Sequence, residues 1–517
     1  MFFPMRLLRL APSTGRSLLA LCALLVTSAG AQAPDLDEFI ERGMRDWRIP
    51  GLAVAIVHND SVVYAKGFGT RVIGANAPVD TRTMFGIMST TKAMTALAVA
   101  MLVDEGKVAW NDPVTKHLPA FRLSNAWVTQ EVTVRDLLTH VTGLGNADLL
   151  WTRGDLSTRD ILTRVARLDL AYSLRSDFIY QNVMYQAAGE VVTAASGMPW
   201  ERFVESRIFA PLGMTRSRAT LANARALNDA NVSAAHWDFG GDDGRGDVRR
   251  IEEQPVDPVP AAGAAWSTAD DAARWMRFLL DSGRVNGTRL VSEASFRELF
   301  RPQVIVPAAQ FYPSIALTRP RWMTYGLGWF QQDYNGMHVA MHTGSIAGRT
   351  AIVGLVHDQR LGVFFFANRD HEEFRHALMW RVIDRYTGAP YRDWHTQLKK
   401  IYDEREARSA RAVAARDAAR VPNTSPSHAL EAYVGTFAHP VYATLQVRLV
   451  NGALALNVGP LAQNTGALEH FHYDTFRVRL GDGRNGWTYV TFRTGGDGRV
   501  AAVRYRDSPA LEFTRIR

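Results

Sequence analysis

Ser89-Thr90-Thr91-Lys92 places a hydroxyl and an amine three residues apart at the head of an apolar run. Three residues at about 100° each bring both side chains onto one helix face, a turn apart, so the amine reaches the hydroxyl. A serine hydroxyl becomes a nucleophile beside a base, and a lysine becomes a base where burial favours its neutral form. The partial positive charge of a helix N-terminus suits an oxyanion forming beside Ser89. Alone the spacing is weak, because a chain this long holds roughly one S-x-x-K by chance. The bland alternative is an N-cap serine followed by a solvated lysine. Company strengthens the chemical reading: Tyr180-Gln181-Asn182 is the only Y-x-N in the chain, and His342-Thr343-Gly344 is the only H-x-G.

These side chains need elements to carry them. Residues 89–105 are apolar nearly all round, which predicts a helix packed on every side at the centre of its domain. An amphipathic helix is expected over 35–45, and the β-rich runs 52–58 and 61–68 read as a hairpin about Asn59-Asp60. Residues 110–300 mix helical segments with loops, including 240–246, and Ser267-Thr268 is an N-cap candidate for a helix over 269–280. Strands return at 350–356 and 361–367, followed by a helix near 372–386. Strands thus open and close the block, the layout of one sheet made from both ends of a domain. Residues 396–420 look helical, 421–426 read as a linker, and the alternating runs beyond it predict a separate antiparallel barrel or sandwich of roughly ninety residues.

Composition bounds the rest. Hydrophobic residues make up 47 % and charged residues 21 % of 517, which disfavours disorder, collagen and a long coiled coil and allows two to four domains. The formal net charge is +8, but acidic residues are interspersed and no dense basic tract occurs, so nucleic-acid binding has little support. Arg6, Arg9 and Arg16 precede the apolar run 18–26, and Ala31-Gln32-Ala33 follows in the pattern that signal peptidase reads. Export to the periplasm or the medium is expected, with cleavage after Ala33 and no stable membrane insertion. Cys22 is the only cysteine and lies within that leader, so a mature chain would have no disulfide, cysteine nucleophile or thiolate metal site.

At Ser89, Lys92, Tyr180, Asn182 and His342 the chain resembles the β-lactamase-related serine hydrolases, the family of class C β-lactamases, D-aminopeptidases and penicillin-binding proteins. Leu138-Thr139-His140-Val141-Thr142-Gly143-Leu144, Tyr325-Gly326-Leu327-Gly328-Trp329 and Ala367-Asn368-Arg369 fit as well, and the tail is similar to the lipocalin-like barrel that some members carry. The resemblance implies an α/β (α+β) fold: an antiparallel sheet flanked by helices with a helical subdomain, then a small all-β barrel. The domains expected are a signal peptide (1–33), a serine hydrolase domain (34–395), a helical linker (396–427) and a barrel (428–517). It further implies that Ser89 is acylated, with Lys92 as its proton partner. Tyr180 would assist Lys92 as base and later protonate the leaving group, which asks nearby cations to favour its phenolate. Asn182 would hold Lys92 and a substrate amide. His342 would lie beside the cleft next to Tyr180 and the substrate, with Thr343 and Gly344 on the same strand. The N–H groups of Ser89 and Ser345 would form the oxyanion hole. No metal or organic cofactor is implied, the partner is a small-molecule or peptide substrate, and the oligomeric state stays open.

One departure matters. β-Lactamases usually carry Lys where this chain has His342, and a histidine is near half-charged around its reference pKa of about 6.5. Efficient β-lactam hydrolysis is therefore not expected, and because members of the resembled family with His at this place include peptidases and esterases, the resemblance ranks amide cleavage on a peptide-like substrate first, ahead of a carboxylesterase or weak β-lactamase, and ahead of a penicillin-binding sensor without turnover. Competing sites are weaker. His371-Glu372-Glu373-Phe374-Arg375-His376 misses the H-E-x-x-H spacing, so both histidines read as solvated helix residues. His470 and His472 would share a strand face but lack a third metal ligand, and His140 reads as a hydrogen-bonded structural histidine.

Overall fold

The computed structural model describes residues 33–240, 246–370 and 373–516. Residues 1–32 of the expected leader, residues 241–245, His371, Glu372 and Arg517 fall outside the described residues. Helix α1 (Ala33–Asp46) leads into strands β1 (Gly51–His58) and β2 (Ser61–Gly69). Asn59 (φ 51°) and Asp60 (φ 65°) both take the left-handed conformation that a two-residue hairpin demands, which their short polar side chains tolerate.

The helical part follows. Helix α2 (Lys92–Asp104) is buried continuously from Lys92 to Leu102, as its all-round apolar sequence predicts. Around it lie α3 (Val134–Thr139), α4 (Leu149–Thr152), α5 (Thr158–Arg164), α6 (Asn182–Ser196) and the short α7 (Pro260–Gly263). Helix α8 (Ala269–Leu280) starts at the expected cap: the Thr268 hydroxyl accepts the Asp271 N–H at 3.2 Å.

The chain then returns to the sheet through β3 (Val304–Ile305), β4 (Met323–Tyr325), β5 (Phe330–Tyr334), β6 (Met337–Ile346), β7 (Arg349–Val356) and β8 (Leu361–Ala367). The eight strands lie in the order β2-β1-β8-β7-β6-β5-β4-β3, and β1 pairs antiparallel with β8 (Leu52 opposite Ala367). Both ends of the domain thus meet in one sheet. Both sheet faces are covered: Ala351, Val353, Phe364 and Phe366 join the core that includes α8, while Ile352, Val363 and Phe365 join the one that includes α9 (Phe374–Thr387). Two buried faces explain why β7 and β8 read as continuous apolar runs rather than alternating ones.

Helix α10 (Trp394–Ala418) leads to a closed barrel of β9 (Gly435–His439), β10 (Ala443–Val450), β11 (Ala453–Asn457), β12 (Thr465–His472), β13 (Thr475–Val478), β14 (Thr488–Thr494), β15 (Val500–Tyr505) and β16 (Glu512–Arg515). Its inward side chains, among them Phe437, Leu456, Phe476, Val490 and Phe513, pack on one another as a core. The barrel sits against α4. The Arg153 guanidinium donates to the Thr444 carbonyl at 2.8 Å, and the Asn464 amide donates to the Thr152 and Arg153 carbonyls at 3.2 Å each.

Candidate active site

Ser89 does not begin an α-helix. It lies in one turn of 3₁₀-helix, Met88–Thr91, and α2 opens at Lys92. Three residues per turn eclipse positions i and i+3, which aligns the two side chains more directly than α-geometry would. Lys92 Nζ is 3.1 Å from Ser89 Oγ. Met88 enters the turn at φ 48°, a strained conformation for a side chain of its size, and thereby aims Ser89 into the cleft.

Lys92 is fully buried. Its amine donates to Asn182 Oδ1 at 2.8 Å and to the Ala262 carbonyl at 2.7 Å, between the rings of Tyr180 and Tyr185. Burial pushes its pKa well below the usual lysine value, with the charge of Asp148 acting in the opposite sense. A neutral amine has two N–H groups and one lone pair. Two carbonyl oxygens take the former, so the lone pair is left facing the Ser89 hydroxyl, the geometry of a general base.

Tyr180 hydrogen-bonds the Ser89 side chain, and burial raises its pKa well above the ordinary phenol value. The expectation of a phenolate favoured by cations is therefore corrected: this phenol stays protonated and can give a proton. His140 caps α3 in the left-handed conformation (φ 64°), accepts the Gln181 N–H on Nδ1 at 2.9 Å, and lies 4.4 Å from the Tyr180 ring. Burial keeps it neutral.

His342, Thr343, Gly344 and Ser345 lie on β6, beside the nucleophile turn. A Cβ on Gly344 would stand 2.3 Å from the Ile87 carbonyl oxygen and 2.9 Å from Met88 Cβ, so only glycine allows this approach. His342 departs from its expected state. It is 1 % exposed, its Nδ1 donates to the Thr343 carbonyl at 2.7 Å, and its Nε2 accepts from the Tyr325 hydroxyl at 3.1 Å. Burial is the chief cause that pulls its pKa to about 3. The ring is thus neutral and bonded into the core, not half-charged, although its centroid is 6.0 Å from that of Tyr180.

A beta-lactamase family model matches residues 36–387, more than half of the sequence. The chain belongs to the beta-lactamase family. A second model, described as a domain of unknown function (DUF3471), matches residues 419–517. Unguisins hydrolase ungD of Aspergillus violaceofuscus (strain CBS 115571) is 26 % identical over 440 residues, covering 80 % of this chain and 76 % of that protein. Protein flp of Staphylococcus aureus (strain COL) is 24 % identical over 341 residues, 65 % of this chain and 63 % of that one. Among solved structures, the octameric penicillin-binding protein homologue from Pyrococcus abyssi covers 93 % of this chain and 100 % of its own at 22 % identity, with a TM-score of 0.59. SurE covers 95 % of this chain and 100 % of its own at 20 % identity, with a TM-score of 0.55. These two likenesses establish the fold.

Several residues of this beta-lactamase-family site carry no sequence motif. Asp148 accepts from the Asn182 amide at 3.0 Å, and the Tyr312 hydroxyl accepts the Thr343 N–H at 3.1 Å. Behind β6, the buried Arg375 donates to the Gly344 carbonyl at 2.7 Å and to Ser345 Oγ at 2.8 Å. Nothing short of tertiary structure joins these positions, although Arg375 lies in the stretch read as a failed zinc motif. His376 in that stretch is also corrected: it is 1 % exposed and packs edge-on to Tyr312, because α9 is buried on most sides. His470 and His472 each face a backbone partner, the Tyr473 carbonyl and the Val421 N–H, and the pairing register shifts between them. Among the described residues no group of three or more His, Cys, Asp or Glu is arranged to hold a metal. A cavity of about 290 Å³ is shared by both domains, with Ser345, Trp151 and Trp237 on one side and Asn464, Asp482 and Arg484 of the barrel on the other; Ser89, Lys92 and Tyr180 are not among its lining.

The buried imidazoles give a stability prediction. His342 is pulled to about 3, and His357 and His376 each to about 4, all chiefly by burial. The unfolded chain, with histidines near 6.5, binds more protons than the folded one below that value. Their contribution is complete above about pH 6.5 and is lost as the pH falls toward 4 and then 3. The melting temperature should drop steadily from pH 6.5 to pH 4; a flat Tm across that interval contradicts the assignment of neutral, buried rings.

Proposed function

We propose that the protein is an exported serine hydrolase that cleaves an amide bond in a peptide-like substrate through an acyl-enzyme on Ser89. The observation that carries this reading is the buried Lys92 amine, 3.1 Å from Ser89 Oγ and 2.8 and 2.7 Å from the Asn182 and Ala262 oxygens, which would take both N–H groups of a neutral amine and leave its lone pair for the Ser89 hydroxyl. Ser89 Oγ attacks the substrate carbonyl carbon as its proton passes to Lys92. The tetrahedral oxyanion is held by the N–H groups of Ser89 and Ser345. Collapse breaks the C–N bond, and the protonated Tyr180 gives its proton to the departing amine, with Lys92 restoring it. Water then enters by the reverse proton path and releases the acid.

Two features favour an amide. A departing amine must be protonated, which a neutral phenol beside the nucleophile supplies, whereas an activated ester leaves without that help. The relative named as a hydrolase of unguisins is consistent with turnover rather than mere binding. A β-lactam is disfavoured, since His342 is neutral and offers no cation to its carboxylate. Export rests on the N-terminal leader pattern.

Intact-mass measurement over a panel of peptide amides, nitrophenyl esters and a cephalosporin should reveal an acyl adduct, absent in Ser89→Ala. Peptide amides are expected to turn over with release of the amine. Turnover of esters alone points to a carboxylesterase, and an adduct that never clears points to a sensor; either result overturns the amide assignment.

A further inference from the structure

Asp148 stands at the head of α4, outside every motif of the sequence. Its Oδ1 accepts from the Asn182 amide at 3.0 Å and from Trp151 Nε1 at 2.8 Å, and its Oδ2 accepts from the Asn146 amide at 3.2 Å. Asn182 in turn presents its oxygen to Lys92 at 2.8 Å. We propose that Asp148 is a positioning residue for the Ser89 reaction, fixing the Asn182 amide so that Lys92 directs its lone pair at Ser89, and setting the charge that Lys92 experiences. The inference rests on the serine-hydrolase reading above.

An amide side chain can sit in its site in two orientations that exchange an acceptor for a donor. With the nitrogen turned toward Lys92, Asn182 would offer N–H where an acceptor is needed, and the lysine lone pair would be drawn to Asn182 instead of Ser89. A carboxylate accepts only. Asp148 therefore holds the Asn182 NH₂ and leaves the oxygen to Lys92, which consumes one lysine N–H; the Ala262 carbonyl consumes the second.

The charge has a separate effect. The groups that face Lys92 are the Ser89 hydroxyl, the rings of Tyr180 and Tyr185, the Asn182 amide, the Ala262 carbonyl on α7, and two buried neutral histidines, His140 at the end of α3 and His342 on β6. Among the described residues Asp148 supplies the opposing negative charge, which resists the fall that burial imposes on the amine. An amine depressed too far would not accept the serine proton in the transition state. From the barrel, Tyr442 is close enough for its phenol to be raised partly by the Asp148 charge. The barrel also holds the chain just beyond Asp148 through Asn464 and Thr444, which bond residues 152 and 153. The second domain thus helps to fix the carboxylate that serves the first.

Two substitutions separate the effects. Asp148→Asn can keep an acceptor oxygen for Asn182 and Trp151 but removes the charge; Asp148→Ala removes both. The readout is the rate of Ser89 labelling by a fluorophosphonate probe, followed by intact mass from pH 5 to pH 10, with nitrophenyl-ester kcat/KM in parallel. Lys92 must be neutral to act as base, and the Asp148 charge favours its ammonium form. Asp148→Asn should therefore move the acid limb to lower pH, by about half a unit or more. Asp148→Ala should show the same shift of the acid limb and in addition slow labelling about 10- to 100-fold on the pH plateau, a cost of misorientation. A limb unmoved in Asp148→Asn overturns the charge role, and this variant decides the matter should Asp148→Ala fold poorly. Labelling of both variants at the wild-type rate and pH profile overturns the proposal while leaving the nucleophile assignment intact. Wild-type protein that never labels at Ser89 overturns both.

Discussion

Ser89→Ala is expected to lower kcat on any accepted substrate by at least about 10⁴-fold while leaving the melting temperature within a degree or two of wild type. The two outcomes separate because of how the side chain is held. Ser89 is only partly buried, and its hydroxyl meets Lys92 and Tyr180, groups that keep other contacts when it is gone. The Lys92 N–H groups stay on Asn182 and Ala262, and Ser89 itself is only partly buried, so little packing is lost. Loss of the oxygen, by contrast, removes the atom proposed to form the acyl bond. Steady-state kinetics and a thermal melt on the same preparation check both halves. Normal turnover would displace the nucleophile from Ser89, and a collapse of Tm would make any loss of activity a folding effect.

What could be read in the sequence was what local spacing determines. The i, i+3 relation of Ser89 and Lys92 holds in either helix type, so the pairing was legible although the 3₁₀ turn was not. The two-ended sheet was legible because β1, β2, β7 and β8 carry strong apolar runs. Strands β9 and β16 were not: Glu512-Phe513-Thr514-Arg515 has a single apolar residue, and pairing partners rather than pattern make it a strand. The charge states of His342 and Tyr180 were misjudged for one reason. Reference pKa values describe solvated groups, whereas here burial, the largest cause at both sites, lowers the imidazole and raises the phenol. Asp148, Tyr312 and Arg375 were invisible because each acts on a residue at least 30 positions away, through contacts that exist only after the sheet and the helices have packed.

Gly344→Ala should be nearly as damaging to catalysis as a change at the chemical groups themselves, with kcat/KM falling about 10²-fold and stability by about 1–3 kcal/mol. The added methyl would lie 2.3 Å from the Ile87 carbonyl oxygen and 2.9 Å from Met88 Cβ. Neither neighbour can swing away like the tip of a flexible side chain. The carbonyl belongs to the backbone that enters the nucleophile turn, and Met88 is already held at φ 48°. On the other side β6 is clamped by its pairing with β7 and by Arg375, which bonds the Gly344 carbonyl itself. The strain must therefore separate β6 from the turn, and with it the Ser345 and Ser89 N–H groups proposed as oxyanion donors. Lys92 and Ser89 share one turn and keep their spacing, so the proposed base remains in place while the proposed oxyanion donors part. The variant should bind substrate with little change in KM yet lose kcat, because an oxyanion exists only after attack. A variant with wild-type kcat and Tm would mean that the strand and the nucleophile turn are not in register as described, and the oxyanion site would have to be sought elsewhere.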